Sequence, residues 1–155
     1  MSKASPFKHA EADASAGFLL WKMTALWQQR LALVLESLGI TQTQYAILAS
    51  LKWFEENKEP TTQTHLGEHA HIEKMTLSKA IRQLEKKGLL SRKKSKSDSR
   101  AVLVQFSERG QTLIKKAIVA IENADDEFFM ELNEKQLENF KSLVKTVITA
   151  NSSES

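Results

Sequence analysis

The chain contains no cysteine, which excludes disulfide frameworks, thiol nucleophiles, cysteine-based zinc sites and iron–sulfur clusters. It has only two prolines and five glycines, too few for the many turns of a loop-rich β sandwich. No apolar run approaches the roughly 18 residues of a membrane span, and residues 1–16 lack the apolar segment of a signal peptide. We therefore expect a soluble, cytoplasmic protein without a membrane partner.

Helix-forming residues dominate instead, chiefly Leu, Lys, Glu, Gln and Ala. The 155 residues are about the length of one domain, and a content of 41% hydrophobic and 26% charged residues is typical of a globular protein. Length and composition therefore predict a single domain, residues 1–155, that is mostly α-helical.

Apolar periodicity and capping signals locate the helices. Apolar side chains return at steps of three and four over about residues 12–38, which predicts one long helix that Gly39 ends. Thr41 and Gln44 have the spacing of a capping box at the start of the next helix. Similar signals predict helices near residues 41–56, 61–70, 73–87, 107–128 and 133–150, before a polar tail from Asn151.

After Gly88 the apolar pattern changes from helical to extended spacing. Residues 89–94 and 101–106 are predicted to form two short strands, joined as a hairpin by the polar loop 95–100. Helix, short helix, second helix and hairpin, in that order over residues 40–106, are typical of a winged helix-turn-helix that binds DNA.

The predicted helices on either side, residues 12–38 and 107–150, carry many apolar side chains. Their apolar surface is larger than one small winged helix can cover. This excess favours a dimer whose subunits meet through these helices. A monomer in which the helices fold back onto the domain is the alternative.

The net charge of +3 is distributed unevenly along the chain. Residues 74–100 hold 10 basic residues against only Glu85 and Asp98, a net charge of +8. The flanking segments are acidic, with net charges of −2 before this stretch and −3 after it. A basic stretch between acidic flanks predicts a polyanion-binding surface, and its place on the second helix and the hairpin favours double-stranded DNA.

In a winged helix-turn-helix the second helix enters the major groove, and its first residues face base edges. The candidate DNA contacts on the predicted helix are Lys74, Thr76, Ser78, Lys79 and Arg82, opposite its apolar stripe. Some of the basic residues that follow are candidate phosphate contacts. Lys86 and Lys87 are better explained as complements of the helix dipole at its C-terminal end.

Four short motifs lie along the predicted DNA-binding part and the start of the next helix. They are IEKMTLSK at residues 72–79, LEKKGL at 84–89, DSR at 98–100 and FSERG at 106–110. Together they closely resemble the multiple antibiotic resistance regulator (MarR) family. The resemblance covers roughly residues 12–150. It implies a homodimeric transcriptional regulator, usually a repressor, whose first and last helices interlock with those of a partner chain.

The resemblance also implies roles for single residues. Arg100 would insert into the minor groove, and Asp98 would brace that side chain and its loop. An ordinary exposed ion pair of little energetic value is the alternative. Thr62 at the start of the short helix, and Lys94 and Lys96 in the wing, complete the expected DNA contacts.

Members of this family commonly bind aromatic or lipophilic acids in a cleft between the dimer helices and the DNA-binding part. The resemblance therefore implies a small-molecule effector that releases the DNA. The aromatic side chains expected to line its cavity are Trp21, Trp27, Trp53 and Phe54. Aromatic residues at helical spacing are also ordinary core residues, so plain packing is the alternative. No cofactor is implied.

One motif points to a different class of protein. Residues 65–69, HLGEH, match H-x-x-E-H, in which two histidines one turn apart bind zinc and the glutamate is the general base. A metallohydrolase or a regulatory metal site that uses His65, Glu68 and His69 is therefore the alternative. Gly67 weakens the helix that such a site needs, and no later carboxylate pair supplies a third ligand. We therefore expect a regulator and not an enzyme.

Overall fold

The computed structural model describes residues 4–152, and in that part of the chain it has six α-helices and one two-stranded sheet. The helices are α1 (Ala16–Glu36), α2 (Gln42–Glu56), α3 (Gln63–Ala70), α4 (Lys74–Lys86), α5 (Glu108–Phe128) and α6 (Glu134–Asn151). The strands are β1 (Leu90–Lys94) and β2 (Val102–Phe106), which pair antiparallel with Leu90 opposite Phe106. This order confirms the predicted mostly helical fold with a two-stranded wing.

The predicted capping box opens α2. The backbone N of Gln44 donates to Thr41 Oγ1 at 3.1 Å, and the backbone N of Thr41 donates to Gln44 Oε1 at 3.0 Å. Each side chain thus satisfies a backbone N–H that the helix leaves without a partner. Asn133 and Gln136 form the same reciprocal pair at the start of α6.

Two helix ends differ from the prediction. The first helix begins at Ala16 and not near residue 12, because Ser15 Oγ accepts from the backbone N of Phe18 at 3.3 Å and caps the helix there. Residues 12–14 form a separate 3-10 turn. At the other end of the chain, α6 continues through Asn151, where the sequence predicts a polar tail.

The hydrophobic core lies between α2, α3, α4, the sheet and the first half of α5. Its fully buried large side chains are Leu35, Ile47, Leu48, Leu66, Ile81, Leu84 and Ile114. α4 contributes Leu77, Ile81 and Leu84, so the predicted apolar stripe is its inward face. Burying each such side chain stabilises the fold by about 1.5–3 kcal/mol, which holds α4 in one rotation about its own axis.

Two glycines allow close contacts between neighbouring elements. A Cβ on Gly110, in the first turn of α5, would lie 1.9 Å from the carbonyl oxygen of Leu89. A Cβ on Gly67 in α3 would lie 2.8 Å from Cδ2 of Leu77 in α4. The glycines therefore let α5 approach the start of the wing and let α3 cross α4 closely.

The first and last helices leave much apolar surface uncovered. Within the described residues α1 buries only Leu35, and α6 buries no residue. The exposed large apolar side chains of these two helices are Phe18, Leu19, Leu20, Trp21, Leu26, Leu33, Leu143, Val144, Val147 and Ile148. None of the helices in residues 4–152 is both long and apolar enough to cross a membrane.

Candidate nucleic-acid interface

Glu73 holds the start of α4. Its Oε1 accepts from the backbone N of Met75 at 2.9 Å, and its Oε2 accepts from the backbone N of Thr76 at 3.2 Å. These hydrogen bonds from Met75 and Thr76 lower the pKa of the Glu73 carboxyl group below its usual value. The sequence predicts a helix from about residue 73, whereas in the structure Glu73 is the residue that caps it. An acidic residue in this place suits the helix dipole.

The outer face of α4 is cationic. At 100° per residue, Met75, Lys79, Arg82 and Lys86 form one strip directly opposite the buried stripe, and all four are exposed. We call these four residues the outward strip. Lys74 is also exposed at the start of the helix. The predicted contacts Lys74, Lys79 and Arg82 are therefore accessible to a polyanion.

The hydroxyl groups predicted to contact DNA have partners within the protein. Thr76 Oγ1 donates to Glu73 Oε2 at 3.1 Å, and Ser78 Oγ accepts from Gln63 Nε2 at 3.0 Å. Thr62 caps α3, because its side chain accepts from the backbone N of His65. Gln63 is absent from the sequence-based set of candidates, since its contact with Ser78 arises only when α3 and α4 cross.

The wing exposes Arg100 at the tip. Its side chain is 94% exposed, while Asp98 Oδ1 accepts from the backbone N of Arg100 at 3.0 Å and lies 3.7 Å from Arg100 Nε. Asp98 therefore shapes the turn through the backbone and pairs only loosely with the guanidinium group. Lys94 and Lys96 are exposed on the same hairpin.

The wing and the two helices meet at one cleft of about 720 Å³. Lys74 at the start of α4 and Arg100 at the wing tip both line it, as do Thr64 and Glu68 of α3. The base of the wing is held to the helix-turn-helix by a hydrogen bond from the backbone N of Val104 to the carbonyl oxygen of Thr61 at 2.9 Å. The fold thus brings Arg100 to the side of the molecule where α4 begins.

Lys87 has a structural role at the end of α4. Its Nζ donates to the carbonyl oxygen of Gly39 at 2.8 Å and to Gln44 Oε1 at 3.0 Å. These bonds tie the end of α4 to the turn between α1 and α2. Arg92 in β1 similarly pairs with Glu85 at 3.1 Å and is only partly exposed.

The two histidines of the H-x-x-E-H motif pack against aromatic side chains of α2. The His69 ring stacks on Trp53 at 5.5 Å with an interplanar angle of 24°, and its Nδ1 is 2.9 Å from Ser50 Oγ. His65 lies 6.5 Å from Phe54. No group of three or more potential metal ligands occurs among residues 4–152. The arrangement does not favour the metal hypothesis.

The four aromatic residues predicted to line an effector cavity lie in different parts of the fold. Trp27 packs edge-on against Phe128 of α5 at 5.2 Å, whereas Trp53 and Phe54 contact each other beside α3. Trp21 is 76% exposed on α1. The structure of the single chain does not bring these four side chains together.

Comparisons with known proteins agree with this geometry. A family model described as transcriptional regulator SarA/Rot matches residues 30–117. An uncharacterized HTH-type transcriptional regulator of Bacillus subtilis, YdcH, is 34% identical over 87% of this chain and 90% of its own length.

Solved structures share the fold. A mutant MarR from E. coli complexed with operator DNA has 21% identity and a TM-score of 0.76, covering 85% of this chain and 92% of the other. CouR from Rhodococcus jostii bound to p-coumaroyl-CoA has 17% identity and a TM-score of 0.78, with coverages of 94% and 100%. The fold of the chain is that of MarR, and the resemblance identified from the motifs is confirmed. The chain belongs to the transcriptional regulator SarA/Rot family.

Proposed function

We propose that the protein is a sequence-specific repressor that binds double-stranded operator DNA through α4 and the wing. The observation that carries the proposal is the exposed cationic face of α4, with Lys79 and Arg82 opposite the buried stripe. Arg100 of the wing lines one cleft with Lys74 at the start of the same helix. Helices so placed in winged helix-turn-helix proteins enter the major groove. The related MarR was crystallised with operator DNA, which supports the same use here.

In this proposal the candidate side chains contact the two DNA grooves and the DNA backbone. Lys74, Lys79 and Arg82 contact base edges or the phosphates beside them, and Arg100 enters the minor groove, where the negative potential is strongest. Lys94 and Lys96 contact phosphates along the wing. Thr62, Thr76 and Ser78 contribute hydroxyl groups at the two helix starts, and Asp98 keeps the wing turn in shape.

The functional unit in this proposal is a homodimer. Residues 40–106 form the DNA-binding part, and the helical segments 12–38 and 107–150 form the dimerisation region. Support comes from the uncovered apolar side chains of α1 and α6, which a second copy would bury. A two-fold dimer presents two equivalent recognition helices, so the operator is a pseudo-palindrome with half-sites about 10 base pairs apart.

The repressor is released by a small aromatic or lipophilic acid. Support comes from the related CouR, which was crystallised with p-coumaroyl-CoA. Trp21, Trp27, Trp53 and Phe54 remain the candidate lining residues, with Trp21 and Trp27 reaching a shared cavity only when a second copy is present. A thermal-shift screen of aromatic acids tests this part, and a raised melting temperature with weakened operator binding is expected.

Selection of binding sites from a random pool of duplex DNA tests the central proposal. The expected result is enrichment of one pseudo-palindrome that binds about 10³-fold or more tightly than unselected duplex at physiological salt. The protein is expected to function on the chromosome and therefore in the cytoplasm. A pool that remains unenriched would contradict sequence-specific binding.

A further inference from the structure

Met75 is the apolar member of the otherwise cationic outward strip. Its side chain is 77% exposed, and it lies in line with Lys79, Arg82 and Lys86 at helical spacings of four, seven and eleven residues. Single exposed apolar residues are common on protein surfaces and need no explanation by themselves. This one lies at the N-terminal end of the face that α4 turns away from the core, in line with the cationic side chains.

The start of α4 holds Met75 in a defined place. It is the second residue of the helix, and its backbone N donates to the carboxylate of Glu73 at 2.9 Å. First-turn side chains of a recognition helix are the ones that reach base edges. The side chain therefore projects from an anchored backbone toward the position that a base pair would occupy.

The major groove offers one apolar group, the C5-methyl group of thymine. Phosphates are charged, and the other base edges in this groove present mainly hydrogen-bonding groups, for which a thioether has little affinity. Methionine is long and flexible enough to fit its side chain around such a methyl group. We propose that Met75 packs against a thymine methyl group in each operator half-site and so contributes to sequence preference.

This inference rests on the proposed function, because it requires α4 to enter the major groove. Contact between Met75 and a second copy of the chain is the competing use of the residue. Such a contact would place Lys79 and Arg82 of both copies close together, and the repulsion of like charges opposes it. DNA instead places negatively charged phosphates beside Lys79 and Arg82, which is electrostatically favourable.

Replacement of thymine by deoxyuridine tests the inference, since it removes only the methyl group. Each thymine of a selected operator is replaced in turn, at the equivalent positions of both half-sites, and Kd is measured by fluorescence anisotropy. For the wild-type protein, replacement of the thymine at one position should raise Kd about three- to fivefold per methyl group removed. Met75→Gln, which keeps the length and helix propensity but adds an amide, should lose this dependence, and Met75→Leu should keep most of it.

Met130→Gln is the matched control, because Met130 is 71% exposed and lies after α5, outside the outward strip. It should respond to deoxyuridine as the wild type does. Equal responses of the wild type and Met75→Gln at every position would overturn the inference while leaving DNA binding intact. Failure of the wild type to select any operator would overturn the proposed function and the inference together.

Discussion

Arg100 and Asp98 have separable roles at the wing tip. The guanidinium group is almost fully exposed and packs against little, whereas Asp98 accepts a hydrogen bond from the backbone of its partner. If the wing tip contacts DNA as proposed, removing the Arg100 side chain should weaken DNA binding and leave the fold unchanged. Removing the Asp98 side chain loosens the turn but leaves the cation in place.

Arg100→Ala should weaken operator binding about tenfold or more, with an unchanged melting temperature and an intact dimer. Asp98→Ala should cause a smaller loss. Anisotropy titrations against the selected operator measure both, and Lys135→Ala in the first turn of α6 controls for the loss of one positive charge. Operator binding by Arg100→Ala at wild-type strength would refute the role of the wing tip.

Lys79→Ala and Arg82→Ala distinguish phosphate contacts from base contacts. Loss of a phosphate contact should lower the slope of log K against log salt by about one unit and weaken all sequences alike. Loss of a base contact should relax preference at one position, at a cost of about 1–3 kcal/mol. Titrations at four salt concentrations with operator and with scrambled duplex separate the two. If the two variants show neither of these effects, the outer face of α4 does not contact DNA.

At the scale of the elements, the start of α4 depends on an ionised carboxylate. Hydrogen bonds to the folded helix lower the pKa of Glu73, so the cap stabilises the protein above the unfolded pKa of about 4.3. That contribution is lost as the pH falls through the lower folded pKa. Glu73→Ala should therefore have a lower melting temperature than the wild type at pH 7, and the difference should shrink as the pH falls through the lowered pKa of Glu73. A difference that persists in acid would show that the carboxylate charge is not responsible.

The junction of the wing with α5 depends on the absence of one side chain. Gly110→Ala places a methyl group against the backbone of Leu89, and overpacking of this kind costs about 1–3 kcal/mol. At about 2–4 °C per kcal/mol for a chain of this size, the melting temperature should fall by about 2–12 °C. Gly17→Ala is the control, because its Cβ would have only Ser15 Oγ as a neighbour, at 3.9 Å. An equal response of both variants in calorimetry would disprove the close approach.

The sequence predicts local features of these elements better than their contacts. The capping box of Thr41 and Gln44 and the inward stripe of α4 were predictable, because both depend on residues within one or two helical turns. The bonds of Gln63 to Ser78 and of Lys87 to Gly39 join residues 15 and 48 positions apart, and no local pattern encodes them. Stacking of His69 on Trp53 likewise depends on how α2 and α3 cross.

At the scale of the whole molecule, four apolar side chains of α6 lie largely exposed in the described part of the chain. Leu143, Val144, Val147 and Ile148 are 59%, 37%, 62% and 57% exposed. A chain of this length rarely leaves so much apolar surface in water. We infer that the isolated protomer is not the species that binds DNA.

Val147→Asp should give a folded monomer that binds the operator much more weakly than the wild type. The side chain is exposed in the protomer, so the charge disturbs only an interface between copies. Asn139→Asp introduces the same charge at a polar position of α6 and should remain dimeric. Light scattering at micromolar concentration gives the masses. A monomeric wild type would contradict the dimer.

The close approach at Gly110 couples the position of α5 to the position of the wing. Ser107 Oγ donates to the carbonyl oxygen of Gly88 at 2.6 Å and accepts from the backbone N of Gly110 at 3.0 Å, so the start of α5 is bonded directly to the start of the wing. A helix of 21 residues is about 30 Å long, and a tilt of about 5° at its far end displaces the near end by about 2.6 Å. In the proposed dimer, a molecule that bound among the distant helices and tilted α5 in this way would change the spacing between the two wings without touching either one.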